Sequence, residues 1–156
     1  MNIRKATLTD YWVIDPILVE LELHHVVLEP DFFMPIEHYD RELFDSYIDQ
    51  DDKSMFVAEE EGSITGVAIV ALGHWQAVNI FHQRDFAVVE ELSVLPTFRR
   101  QGIGTALMEA AETWAKQKGV DQMQLSVWAK NTEAIHLYEE LGYQCHLQRY
   151  HKQLHQ

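Results

Sequence analysis

Two arginines and two glycines stand within six residues at Arg99-Arg100-Gln101-Gly102-Ile103-Gly104, between a valine-rich run that ends at Pro96 and a long amphipathic stretch. Glycines at Gly102 and Gly104 remove the Cβ atoms that would hold a ligand away from the backbone. If a helix opens there, its first N–H groups are free and its dipole favours an anion. Arg99 and Arg100 add positive charge to an otherwise acidic chain. Physically this is a cradle for phosphate. It is not a Walker loop, because no Gly-Lys-Ser/Thr follows, and the first glycine of a dinucleotide fingerprint is missing. A Gly-rich turn without a ligand is the plain alternative that spacing alone leaves standing.

Just upstream, Glu90 and Glu91 place two carboxylates in the valine-rich run. Strand side chains alternate, so only one of the two is expected to face a cleft there. Tyr138 lies on the apolar stripe of a later helix, where it reads equally well as core. His24 and His25, with Glu20 one turn earlier, could bring a carboxylate and an imidazole to one helix face. No His-Glu-x-x-His or cysteine cluster accompanies them, and no metal is expected. His74, Trp75, His82 and Phe32-Phe33 read as loop residues that either wall a site or pack. Cys145, the only cysteine, reads as a small buried hydrophobe.

The elements that must position these groups follow from periodicity. Ile3 to Lys5 reads as a strand, and Thr7 with Asp10 has capping-box spacing. The next helix carries Ile14, Ile17, Leu18 and Leu21; Pro16 implies a kink or a later start. Val26 to Ile36 reads as a loop, and Leu43, Phe44, Tyr47 and Ile48 as a second helix. Ser54–Glu59 and Ile64–Leu72 form a hairpin signal around Glu60-Glu61-Gly62-Ser63. Gly73 to Arg84 extends that strand into a loop, and Phe86 to Leu95 is a further strand ended by Pro96. Ile103, Ala106, Leu107, Ala110, Ala111, Trp114 and Ala115 define a strong amphipathic helix stopped by Gly119. Met123–Val127 is a short strand. Asn131 caps a helix with an apolar face of Ala134, Ile135, Tyr138 and Leu141. Tyr143–Leu154 reads as a strand or tight pair. Strand and helix alternate, which implies an α/β domain with some parallel pairing.

The chain has 156 residues, enough for one domain, 1–156, with a real core. Its formal charge of −13 argues against a nucleic-acid partner, which needs Lys and Arg against phosphates. It favours a cationic substrate, unless it serves solubility alone. No apolar run is long enough to span a membrane. One cysteine and no signal-peptide core fit a reducing, cytoplasmic setting.

The stretch from 86 to 143 resembles the GNAT superfamily of N-acetyltransferases. Arg99-Arg100-Gln101-Gly102-Ile103-Gly104 matches that family's pyrophosphate motif, Gln/Arg-x-x-Gly-x-Gly/Ala, in full. Glu91-Leu92-Ser93-Val94-Leu95-Pro96 is similar to its fourth strand, whose backbone pairs with the pantetheine arm. Asn131-x-x-Ala134-x-x-x-Tyr138-Glu139-x-x-Gly142-Tyr143 resembles its second signature.

The resemblance implies a mixed, mostly antiparallel sheet flanked by helices, with a splayed parallel strand pair that holds acetyl-CoA. It implies cofactor contacts at Leu92, Ser93, Val94, Arg99, Arg100, Gln101, Gly102, Ile103, Gly104, Thr105, Asn131, Ala134 and Tyr138. An amine of pKa near 10.4 is neutral in only about one molecule in 10³ at pH 7, so a base is useful. Family members tend to place one at positions matching 88 or 90; Val88 cannot serve, which favours Glu90. A backbone N–H near Val94 would meet the oxyanion, and Tyr138 would be the acid. The short tail after Gly142 departs from the pattern, leaving little room for the usual two closing strands, and a homodimer is among the partners allowed. A non-catalytic acyl-CoA sensor and a nucleotide-binding cradle are the competing readings, separable by competition between acetyl-CoA and ATP.

Overall fold

The computed structural model describes residues 1–76 and 82–154. Among them the elements run β1 (Asn2–Lys5), α1 (Tyr11–Leu28), α2 (Arg41–Asp49), β2 (Lys53–Glu60), β3 (Ser63–Trp75), β4 (Arg84–Val94), α3 (Ile103–Gln117), β5 (Met123–Leu125) and α4 (Thr132–Glu140). Short 3-10 turns precede α1 at Leu8–Asp10 and follow β4 at Pro96–Phe98. The part of the Gly73–Arg84 expectation that falls on 77–81 lies outside the described residues.

The strands form one sheet in the order β1-β2-β3-β4-β5. The first three pairings are antiparallel and β4 with β5 is parallel. Helices cover both faces, and each face has its own apolar cluster. On one side Ile14, Ile17 and Leu18 of α1 and Phe44 and Tyr47 of α2 pack against Met55, Val57, Val67 and Ile69. On the other, Ile103, Leu107, Ala111 and Trp114 of α3 pack against Phe56, Ala58, Ala68, Val70 and Ala87. Alternation along β2 and β3 feeds the two clusters by turns.

Local chemistry sets the ends. The Asp10 carboxylate accepts the Thr7 N–H at 2.8 Å, and Arg4 beside it holds that carboxyl down to about 2. Asp40 caps α2 through the Leu43 N–H at 2.7 Å, an interaction worth about 1 kcal/mol. Glu61 and Gly62 both have positive φ, 50° and 80°, which gives the tight β2–β3 hairpin. Pro16 sits inside α1, which starts ahead of it rather than after it.

Two expectations fail. Residues 143–154 form no strand: the chain past Tyr143 is exposed, with Leu147 at 78% and Tyr150 at 84% accessibility. Cys145 lies in that tail and is exposed, not buried. The tail pairs with no strand among the described residues, and β5, three residues long, ends the sheet with one edge open. The α4 helix has an apolar face but no fully buried residue.

Candidate active site

The centre of interest is where β4 and β5 part. Their pairing is confined to Ala87–Met123, Val88–Gln124 and Val89–Leu125. Beyond Val89, β4 keeps only its β3 neighbour among the described residues. The Leu95 N–H bonds Thr65 O at 2.9 Å. By the alternation of antiparallel pairing, the main-chain groups of Leu92 and Val94 then point the other way, into the gap. The Val94 carbonyl is indeed free to accept Arg99 Nε at 2.9 Å. Ser93 is turned away: its backbone faces β3, it is buried, and its hydroxyl reaches the Ile17 carbonyl at 3.5 Å.

The register slips at Ile69/Val70, where Ile69 faces Glu91 and Val70 faces Val89, so Glu90 is an extra residue, a β-bulge. The bulge breaks the strict alternation on which the expectation of a single cleft-facing glutamate rested. Glu90 accepts a hydrogen bond from the Tyr47 hydroxyl of α2. Glu91 also lies on the side of α1 and α2, within the field of Glu22 and His25. Burial, then repulsion by Glu22, raises the Glu91 carboxyl to about 7. Burial and the bond to Glu90 push the Tyr47 hydroxyl upward.

Glu22 and His25 continue the stripe of α1 that begins with Ile14, Leu18 and Leu21. The stripe turns polar where it passes the bulge. His25 Nδ1 lies 3.4 Å from Glu22 Oε2, and that contact raises the imidazole pKa. The sequence weighed His25 only as a metal ligand. A polar turn continuing an apolar stripe was the available signal.

The cradle follows β4. Arg100 and Gly102 both have positive φ, 62° and 82°, a backbone that gathers N–H groups into an anion-binding concavity. Only glycine adopts the second without strain, whereas Arg100 is held in a region costly for a side chain. The first intrahelical bond of α3 runs from Ala106 N–H to Gly102 O at 3.0 Å. The N–H groups of Ile103, Gly104 and Thr105 therefore lack helical acceptors. The Ile103 side chain itself is core. A Cβ on Gly104 would sit 3.1 Å from Leu137 Cδ2 of α4, so glycine lets the two helices converge.

The two arginines differ. Arg99 is tied to Val94 O, to Glu20 at 3.3 Å and, more loosely, to Glu133 at 4.0 Å. Arg100 is exposed, with no ion-pair partner among the described residues. Gln101 Nε2 is held by Thr97 O at 3.3 Å. Asn131 Oδ1 caps α4 through the Ala134 N–H at 3.2 Å.

Tyr138 comes from α4 and lies within the field of Glu91. Desolvation, with the Glu91 charge, raises its hydroxyl to about 12. Its ring meets Tyr143 edge-on at 6.0 Å, and its hydroxyl has no hydrogen-bond partner among the described residues. His74 pairs with Asp85, and Trp75 packs on Phe86 at the doubly paired end of β4. Phe32 and Phe33 stand on the cleft side, against Trp128.

A splayed parallel pair, open main-chain groups beside it and a concavity of free N–H groups at the following helix together make an open gap suited to an anionic ligand. The profile of the Acetyltransferase (GNAT) family matches residues 22–143, and the chain belongs to that family. The chain is 34% identical over 95 residues to an uncharacterised N-acetyltransferase of Methanocaldococcus jannaschii, covering 61% of this chain and 41% of that protein. The chain spans less than half the length of the first curated relatives it matches. The crystal structure of a mutant Bacillus halodurans protein superposes with a TM-score of 0.94 at 26% identity, covering 99% of both chains. An aminoglycoside N-acetyltransferase in complex with CoA shares the fold, with a TM-score of 0.68 at 21% identity over 98% of this chain and 100% of that one. No helix among the described residues is long and apolar enough to cross a membrane.

Proposed function

We propose that this protein moves an acetyl group from acetyl-CoA to a primary amine by direct attack in a ternary complex. One observation carries the reading: the half-buried Glu91 carboxyl, near pKa 7, stands beside main-chain groups that β4 leaves unpaired next to an anion cradle. The residues fit acetyl-CoA, since the gap is open at Leu92 and Val94 and the cradle presents free N–H groups. Acetyl-CoA supplies the thioester carbonyl and a thiolate leaving group.

Glu91, rather than Glu90, takes the proton from the incoming ammonium, directly or through a water. Glu90 is engaged by Tyr47 and sets the bulge. A base near pKa 7 is matched to neutral pH, where general-base catalysis is worth about 10²–10⁴-fold. The Val94 N–H donates to the oxygen that gains charge as the N–C bond forms. Tyr138, still protonated at neutral pH, gives its proton to the sulfur as the C–S bond breaks. The exposed Arg100 and the N–H groups from Gln101 to Thr105 hold the pyrophosphate. A cytoplasmic setting fits a lone exposed cysteine.

A thiol-release assay with acetyl-CoA and a panel of amines tests the reading. Release that depends on the amine, with N-acetylated product, is expected. Tight acetyl-CoA binding with no release on any amine would make the chain a sensor instead.

A further inference from the structure

Aromatic rings that the transfer chemistry leaves unused cross the mouth of the cleft. His25 of α1 stacks on Phe33 at 5.0 Å with 28° between the planes. Phe33 meets Trp128 edge-on at 5.2 Å, and Phe32 meets Trp128 at 5.4 Å. Phe32 and Phe33 come from the α1–α2 connection, while Trp128 comes from the β5–α4 connection, so the rings join the two sides of the cleft. Lys130 fastens the same junction, donating to Leu28 O at 3.2 Å and pairing with Glu29 at 3.2 Å. From the tail, His151 lies edge-on to Phe32 at 5.3 Å.

This bridge is not core. Phe32 is 53% exposed, and none of the four rings belongs to either buried cluster. Two carboxylates serve the same place, Glu22 from α1 and Glu91 from β4, and neither meets a lysine or arginine among the described residues. Glu22 meets His25 through Oε2 alone, at 3.4 Å, and its Oε1 has no partner among the described residues.

We infer that the aromatic bridge, with Glu22, is a seat for a second ammonium group, so that the preferred acceptor is a diamine or a longer polycation. The inference rests on the reading that amines are acetylated beside Glu91. Aromatic faces attract cations through their quadrupole, most strongly when water is partly excluded. Glu22 supplies the opposite charge, and the field of a chain at −13 draws polycations in. A neutral or anionic substituent gains nothing from this arrangement. His25 already covers one face of Phe33, so the reacting amine lies at Glu91 and the second cation lies beside Glu22, against the Trp128 ring.

Calorimetric titration of the full chain at pH 8, with and without CoA, reads the seat directly. The probes are 1,5-diaminopentane and pentylamine, which differ in the second ammonium. The diamine is expected to bind at least about tenfold more tightly. Trp128→Leu and Glu22→Gln are each expected to bring the two probes within about twofold, with melting temperatures confirming the fold. Glu22→Gln keeps the shape of the side chain, so its result stands even if Trp128→Leu is destabilised. Equal binding of both probes by the wild type, or a tenfold preference surviving in Glu22→Gln, would overturn the inference. Thiol release run beside the titration separates the two readings. Turnover without a diamine preference removes the seat and keeps the transferase; a diamine preference in binding without turnover keeps the seat and removes the transferase.

Discussion

From Phe86 to Val89, β4 is enclosed by β3 on one edge and, along Ala87–Val89, by β5 on the other; from Glu90 to Val94 only the β3 edge is filled. The first stretch is apolar, and Phe86, Ala87 and Val89 are buried. The second begins with a bulge, carries two carboxylates, and leaves main-chain groups of Leu92 and Val94 without strand partners. Unpaired backbone groups away from water are costly, so a fold keeps them where a ligand completes the ladder. One strand thus divides its labour. Its doubly paired half holds the sheet together, and its half-paired end is where the proposed transfer takes place. The bulge marks the boundary.

The sharpest way to test that division is at Glu91. Glu91→Gln is expected to lower kcat/KM about 10³-fold at pH 7, and Glu90→Gln by less than about tenfold. Wild-type kcat/KM should rise with pH through about 7, as the carboxyl loses its proton, and the Glu91→Gln variant should lack that rise. Stability should move the opposite way. Burial lifts the carboxyl from 4.5 to about 7, so the folded state holds that proton more tightly than the unfolded chain does. The stabilisation this brings is complete below about 4.5 and is lost as pH rises through about 7. Glu91→Gln should therefore melt higher than the wild type at pH 8, by up to about 3 kcal/mol, and nearly level with it at pH 4.5. Equal kinetic losses at 90 and 91 would erase the distinction between the two carboxylates.

Tyr138 gives the next effect in size. Tyr138→Phe keeps the ring against Tyr143 and removes a hydroxyl with no hydrogen-bond partner among the described residues. Steady-state kinetics should show kcat reduced about 10²-fold, with acetyl-CoA affinity within a few-fold and melting temperature little changed. A variant destabilised by more than about 2 kcal/mol that retains its kcat would move Tyr138 to the structural side of the division.

The smallest effect is expected at Gly104. A valine there would press on Leu137 from 3.1 Å and narrow the gap between α3 and α4. Gly104→Val should weaken acetyl-CoA binding at least about tenfold, or 1.4 kcal/mol. Unchanged affinity by calorimetry with an intact fold would show that the cradle lies elsewhere.

Much of this was legible in the chain. The stripe from Ile103 to Ala115, the hairpin around Gly62, the cap at Asn131 and the Arg99–Gly104 run each depend on neighbours in sequence, and each is found where the pattern put it. The bulge at Glu90 was not legible, because it is a property of the pairing with Ile69 and Val70 and alternation is the rule it breaks. The Phe33–Trp128 contact was hidden too, since it joins residues far apart in the chain. The contacts of Arg99, expected in the cradle, with Val94 O and with Glu20 of α1 were hidden as well, since Glu20 is far away in the chain. The tail misled for another reason: a strand-like composition does not by itself form a strand, and this one joins no edge of the sheet.

The two-residue turn at Glu61-Gly62 bears on the order in which the molecule assembles. It lets β2 and β3 zip from adjacent residues, with almost no loop to close. Parallel pairing of Ala87 with Met123 must wait until α3 has folded and carried the chain back across the sheet. Among the strands, amide-exchange protection should therefore be strongest in the hairpin and weakest at Met123–Leu125. Of the sheet, the β4–β5 wall of the cleft should then form last and open first.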